Sequence, residues 1–189
     1  MTGYSELEFA AVLAAYDFAD AAKLVDVGGG QGALLAAILT AYPQTSGVLF
    51  DQGNVIDHAQ HVMAHAGLTD RCVMMPGNFF EAIPQGGDVY MLKSVLHDWD
   101  DERSITILKN CREVMRRGSR LLVIERVVPE GNEPSEAKLF DINMLVVLGG
   151  LERTAGEYQE LFEAAGFELT RIIRTEAPVS IVEGVPRAV

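Results

Sequence analysis

Short continuous apolar runs alternate along most of the chain with longer segments in which apolar residues recur every three or four positions. Runs of the first kind read as buried strands and segments of the second kind as helices. A helix from about Ser5 to Ala22 opens the chain, and Leu24 to Val27 forms a compact strand that ends in glycines. Gly32 to Tyr42 reads as a helix stopped by Pro43, and Ser46 to Phe50 as the next strand. The alternation continues with a helix over Val55 to Ala66, strands over Cys72 to Met75 and Asp88 to Leu92, a helix over Asp101 to Met115 and a strand over Arg120 to Val128. Helices over Leu139 to Leu148 and Thr154 to Ala165, then strands over Glu168 to Thr175 and Val179 to Val182, complete the pattern.

Strand followed by helix, repeated, predicts an α/β fold: a largely parallel sheet with helices on both faces. Only Glu176, Ala177 and Pro178 separate the last two strands, too few residues for a crossover, so they are expected to pair as an antiparallel C-terminal hairpin. Such a seven-stranded sheet is similar to that of the Rossmann-like class I S-adenosylmethionine (SAM) methyltransferases, although a fold alone does not define an activity.

The length of 189 residues fits one domain. A net charge of −12 disfavours nucleic acid as a partner, because a phosphate backbone is normally met by a basic face. Cys72 and Cys111 are the only cysteines and both sit in apolar patterns, which suits buried thiols in a reducing compartment and hence the cytoplasm. No apolar stretch is long enough to span a bilayer, and Glu6 and Glu8 stand where a signal peptide would be basic.

Val25-Asp26-Val27-Gly28-Gly29-Gly30-Gln31-Gly32 lies between the first strand and the following helix, where glycines let the chain turn sharply and a cofactor approach the backbone. Gly28, Gly30 and Ala33 satisfy a dinucleotide fingerprint, while Asp26, Gly28, Gly30 and Gly32 satisfy a SAM pattern, so the loop leaves NAD and SAM both open. Asp51, at the end of the second strand, is placed to accept ribose hydroxyls in either case. Asp26 is placed to order the loop and to meet the methionine amino group of SAM.

The segment Lys93-Ser94-Val95-Leu96-His97-Asp98-Trp99-Asp100 follows the fourth strand. Together with the glycine loop, Phe50-Asp51, Gly77-Asn78-Phe79-Phe80, Glu125, Asp141 with Met144, and Gly150-Leu151-Glu152-Arg153-Thr154, it resembles the metal-independent small-molecule O-methyltransferases. These include plant caffeic acid and isoflavone enzymes, hydroxyindole O-methyltransferase and bacterial antibiotic-tailoring enzymes. The resemblance implies SAM as cofactor, no metal, and methyl transfer to a hydroxyl of a small aromatic or polyketide-like acceptor. It implies His97 as general base, with Glu125 and Glu152 as flanking carboxylates that select its tautomer and stabilise the imidazolium. Lys93, Trp99, Asn78 and Phe79 fall at cofactor positions, and Met144 and Asp98 on the acceptor side. Asn78 replaces an aspartate common in relatives, which keeps an acceptor oxygen for adenine but loses the charge.

Other candidates carry plainer expectations. Asp100 and Asp101 cap the helix they precede, and Asn54 caps the one after the second strand. His58, His61 and His65 form a partly exposed helix stripe without the carboxylate or cysteine of a metal site. Met63, Met74, Met75, Met91 and Met115 fill the core.

Residues 1–22 are expected to form a linker helix and residues 23–189 the catalytic domain. Family members carry a helical N-terminal domain that makes a dimer and closes the acceptor pocket, and the resemblance places it before this chain. A homodimer or a partner chain is then expected to supply it, docking on apolar residues of the linker helix around Leu7, Phe9, Val12, Leu13 and Tyr16. Two competing readings are a relative that uses bound SAM for decarboxylation or hydroxylation and a degenerate SAM-binding or dimerisation module. An NAD dehydrogenase is a weaker third, permitted by the glycine loop alone.

Overall fold

The computed structural model describes residues 2–129, 131 and 151–188. The predicted helix over Leu139 to Leu148, together with Met144 and Asp141, lies outside these residues. The elements are α1 (Thr2–Ala15), β1 (Lys23–Val27), α2 (Ala33–Ala41), β2 (Ser46–Asp51), α3 (Gly53–His65), β3 (Cys72–Pro76) and β4 (Val89–Lys93). After a 3₁₀ turn over Leu96–Asp98 come α4 (Asp101–Val114), β5 (Arg120–Glu125), β6 (Val127–Val128), β7 (Arg153–Thr154), α5 (Ala155–Ala164), β8 (Phe167–Arg174) and β9 (Ser180–Pro186).

Seven strands form one sheet in the order β3-β2-β1-β4-β5-β9-β8. Pairing is parallel from β3 to β5, whereas β9 runs antiparallel to both β5 and β8. The expected C-terminal hairpin is therefore present, with its second strand inserted beside β5. Strand order reverses between β1 and β4, and ligands of open α/β sheets bind beyond the carboxyl ends of the strands at such a point.

Alternation along each strand divides the core into two layers. Leu24, Leu49, Met91, Leu122, Ile124 and Ile181 face one layer with Leu35 and Ile38 of α2 and Met63 of α3. Val25, Val27, Tyr90, Leu92, Val123 and Val182 face the other, with Ile107, Leu108 and Cys111 of α4 and Tyr158 and Phe162 of α5. Cys72 and Cys111 are buried free thiols, as expected. Met63, Met91 and Met115 are buried, but Met75 is exposed on β3 at the sheet edge, where side chains point away from the core.

Several boundaries differ from the sequence pattern for local reasons. The first helix ends at Ala15, and the Asp17 carboxylate then accepts a hydrogen bond from the Ala19 amide at 2.9 Å, turning the chain towards β1. Val12 and Tyr16 are in the core with Phe9 and Leu13 packed against it, which leaves Leu7 as the exposed apolar residue of the expected docking set. The strand expected over Arg120 to Val128 divides at Arg126: β5 stays in the main sheet, and β6 leaves it to pair with β7. Helix α3 is entered through Gln52, so Asn54 lies inside its first turn and not at its cap. Asp100 does cap α4, accepting from the Arg103 amide at 2.9 Å, while Asp101 turns to another partner described below.

Insertion of β9 demands a close contact at Gly184. A Cβ there would lie 2.6 Å from the Phe162 ring and 3.0 Å from the Glu168 carbonyl. Gly184→Ala should overpack this junction and lower unfolding stability by about 1–3 kcal/mol, read from the midpoint of urea denaturation at unchanged slope.

Candidate active site

The glycine loop leaves β1 at the switch point, and its backbone is tied to β2. The Gly28 amide donates to the Phe50 carbonyl at 2.8 Å, and the Gly30 amide donates to Asp51 Oδ2 at 2.8 Å. Asp51 thus orders the loop while standing beside the expected ribose position. Gly30 has a φ of +60°, and none of the described residues lies within 4 Å of where its Cβ would stand, so the backbone there is left-handed and open to a ligand. Gly29 is required for a different reason: a Cβ would fall 2.5 Å from Asp26 Oδ2 and from Leu49 Cδ1. The left-handed Gly32 ends the loop as the N-cap of α2.

Two clefts flank this loop. One, of about 210 Å³, is lined by Phe9, Asp26, Gly28, Gly30, Gln31 and Lys93. The other, of about 370 Å³, is lined by Gln52, Gly77, Asn78, Phe79, Phe80 and Trp99. Phe79, Phe80 and Trp99 meet edge to face, with centroids 4.9 to 6.3 Å apart, and give the second cleft an aromatic wall. Asn78 begins that wall, but its side chain is engaged locally: Oδ1 accepts from the Phe80 amide and Nδ2 donates to Glu81.

Asp26 is the electrostatic feature of the first cleft. Its carboxyl is fully buried, and Oδ1 has no hydrogen-bond partner among the described residues. Burial and the charge of Asp51 push its pKa up to about 7, against the opposing pull of Lys93. An orphaned buried carboxylate beside an open glycine loop fits a cationic ligand. Lys93, expected to help hold a cofactor, lines the same cleft but is paired with Glu8 of α1 at 2.8 Å and lies 5.6 Å from the centre of the Phe9 ring. The α1 contribution was not visible in the sequence, because nothing local links Glu8 and Phe9 to a strand end so far along the chain.

His97 sits on the 3₁₀ turn that follows β4. Ser94 enters the turn with φ of 54°, a left-handed conformation costing a non-glycine residue roughly 1–2 kcal/mol, and it redirects the chain out of the strand. Glu125, buried at the end of β5, accepts through Oε1 from the amides of Val95 at 2.9 Å and Leu96 at 3.0 Å. Its Oε2 is 3.5 Å from His97 Nδ1, and Glu152 Oε1 is 3.2 Å from the same nitrogen. His97 Nε2 faces Asp98 Oδ1 at 3.5 Å. The structure therefore brings together His97, Glu125, Glu152 and Asp98 from separate parts of the sequence.

Burial favours the neutral ring of His97, but the hydrogen bond with Glu152 and the charges of Glu125, Glu152 and Asp98 outweigh it and raise its pKa above 6.5. Burial likewise pushes Glu125 up to about 7, opposed by His97. One ligand atom from each of His97, Glu125 and Glu152 falls within a 4.8 Å span. Hydrogen bonding accounts for this grouping, since Glu125 is occupied by two amides and the imidazole nitrogen is at contact distance from both carboxylates. His58, His61 and His65 are exposed on α3.

Residues 1–168 match the protein family described as the O-methyltransferase domain. The chain belongs to that family. It is 48% identical over 184 residues to phenazine O-methyltransferase PhzM of Lysobacter antibioticus, covering 97% of this chain and 54% of that protein. It is 44% identical over 185 residues to the mitomycin biosynthesis 6-O-methyltransferase of Streptomyces lavendulae, covering 97% of this chain and 52% of that one. The structure matches that of LaPhzM with a TM-score of 0.93 over 97% of this chain and 55% of that one. It also matches NcsB1, an O-methyltransferase from neocarzinostatin biosynthesis in complex with SAM and 2-hydroxy-5-methyl naphthoic acid, at 38% identity and a TM-score of 0.87, over 96% of this chain and 54% of that one. The chain spans about half the length of these relatives, and its sheet is that of the class I SAM methyltransferases.

The raised pKa of Asp26 makes a testable sign. Between pH values of about 4 and 7 the folded chain retains a proton that the unfolded chain has released, so this group's contribution to stability falls as pH rises through that window. Asp26→Asn removes the titrating group, and the variant should gain melting temperature over the unmodified chain at pH 8 but not at pH 4. Equal differences at the two pH values would contradict the assignment of a buried, proton-retaining carboxyl.

Proposed function

We propose that the chain binds SAM across the glycine loop and is the catalytic domain of an O-methyltransferase acting on a hydroxyl of a small aromatic or polyketide-like molecule. The observation that carries the reading is the His97 ring, held by Glu125 and Glu152 on the turn that leads to Trp99 and the aromatic cleft. When bound, SAM supplies an electrophilic methyl group on a positively charged sulfur. Asp26, Gly28, Gly30, Gly32 and Asp51 would hold its methionine and ribose portions, and Asn78, Phe79 and Trp99 its adenine. Lys93 and Phe9 would close the first cleft. The names of the phenazine, mitomycin and naphthoic acid relatives support a ring-bearing acceptor, with Asp98 on its side of the site. Because the chain spans about half of those relatives, the acceptor pocket is proposed to be completed by residues beyond these or by a second chain, as in a homodimer.

His97 acts here as a general base. The Nδ1–H group donates to Glu152 in the neutral tautomer that this contact selects, which leaves Nε2 bare. A phenolic hydroxyl, with a pKa near 10, is a poor nucleophile until its proton leaves, and Nε2 takes that proton as the oxygen–methyl bond forms. Glu125 and Glu152 then face the imidazolium and stabilise it.

Calorimetry with SAM, its demethylated product and NAD tests the cofactor assignment: binding of the first two without the third is expected, and tight NAD binding alone would sink it. Asp51→Ala should weaken SAM binding by about 1–3 kcal/mol, since it frees the Gly30 amide and removes the ribose acceptor.

His97→Ala should leave SAM affinity nearly unchanged and slow methyl transfer by roughly 10²- to 10⁴-fold. With His97 intact, kcat/KM should rise with pH through a midpoint above 6.5, because the base must be unprotonated and its pKa is raised. A rate flat from pH 6 to 9, or equal loss of binding and turnover in the variant, would remove His97 from the base role.

A further inference from the structure

Arg153 is completely buried and sits one residue after Glu152, on the two-residue strand β7. Its guanidinium donates through Nη1 to the Leu96 carbonyl at 3.0 Å, through Nη2 to the Trp99 carbonyl at 2.9 Å, and through Nη2 to Ser104 Oγ at 3.2 Å. Asp101, whose side chain is exposed, accepts from Nε at 3.0 Å and Nη2 at 2.8 Å. The two carbonyls belong to the residues bracketing His97 and Asp98. In the same turn Glu125 holds the amides of Val95 and Leu96, and the Leu151 amide donates to the His97 carbonyl at 2.9 Å.

We infer that Arg153 is a positioning residue for His97, acting through the backbone of the turn and not through the imidazole itself. The inference rests on the reading of His97 as the base. A fully buried guanidinium is costly, and apolar side chains of similar volume often stabilise a core as well or better. What they cannot supply is a rigid planar fork that reaches two carbonyls three residues apart. Successive residues of an extended strand point to opposite sides, so one short segment sends the Glu152 carboxylate to the ring and the Arg153 cation to the peptide groups that carry it. Fixing the turn this way keeps Nδ1 against both carboxylates. The charged groups facing the ring are Glu125 from β5, Glu152 from the approach to β7 and Asp98 from its own turn. Tyr158, buried on α5, lies within electrostatic reach of Glu125, Glu152 and Arg153.

The test is NMR titration of the His97 ring in the complete chain, in Arg153→Lys and in Arg153→Met, with S-adenosylhomocysteine binding measured by calorimetry on each. Lysine keeps the charge and loses the fork. If Arg153 positions the turn, the His97 midpoint drops towards 6.5 in both variants because the carboxylates lose their hold, while measurable binding of the probe shows that the cofactor site is still folded. A midpoint that rises in Met and stays fixed in Lys would mean that Arg153 acts on the ring by charge, and a midpoint fixed in both would mean a purely structural role. Either result overturns the inference. Should Arg153→Met fail to fold, Arg153→Lys alone decides, since its midpoint either falls or does not. Failure of the general-base reading itself would appear elsewhere, as unchanged methyl transfer in His97→Ala.

Discussion

The carboxylate of Glu125 stands at the end of the central strand β5 and is spent on the amides of the neighbouring chain exit, with one oxygen left for His97. A buried anion in this position is stable only because several donors converge on it, and those donors are the turn that carries the ring. The constraint runs in both directions. The left-handed Ser94 is tolerated because Val95 and Leu96 are held beyond it, and the ring meets its carboxylates because the strand before it stops where it does. Leu96, Tyr158 and Ile124 around it are all without solvent exposure, so removing either partner would leave an uncompensated charge in a low-dielectric site.

A second electrostatic centre lies on the other side of the switch point. There Asp26 is buried next to Asp51, and one of its oxygens has no partner among the described residues. One site sets buried carboxylates against the ring and two backbone amides and so presents a shaped, polarised imidazole. The other holds a charge in reserve for something from outside. The glycine loop separates the two functions, offering backbone amides and space where side chains would intrude.

Most of the sheet could be read from the sequence because its strands are short β-rich runs between strong punctuators: Leu24 to Val27, apolar but for Asp26, ends at Gly28, and Leu121 to Ile124 is apolar throughout. Pro43 stopped α2 and Thr154 with Glu157 capped α5 as a capping box, both local effects with local signals. The site residues His97, Glu125 and Glu152 were recognisable through the family pattern, whereas periodicity alone would have left two of them as ordinary surface acids. Arg153 belongs to the same family pattern but carried no role there: its burial depends on carbonyls from a turn that no periodic pattern predicts. The pairing of Glu8 with Lys93 is similarly tertiary. The break at Arg126 was hidden because Val127 and Val128 continue the β-rich composition while joining a different sheet.

The position of β9 also determines how the sheet ends. By lying between β5 and β8 it leaves β3 and β8 as the two outer strands. Five-residue β3 finishes on Pro76, which has no amide to offer, and β8 carries a register shift between Leu169 and Arg171 with Glu168, Arg171 and Arg174 along its length. Short length, a proline, an irregular ladder and charged side chains are the means by which open sheets refuse further strands. The sheet is thereby protected against edge-to-edge growth.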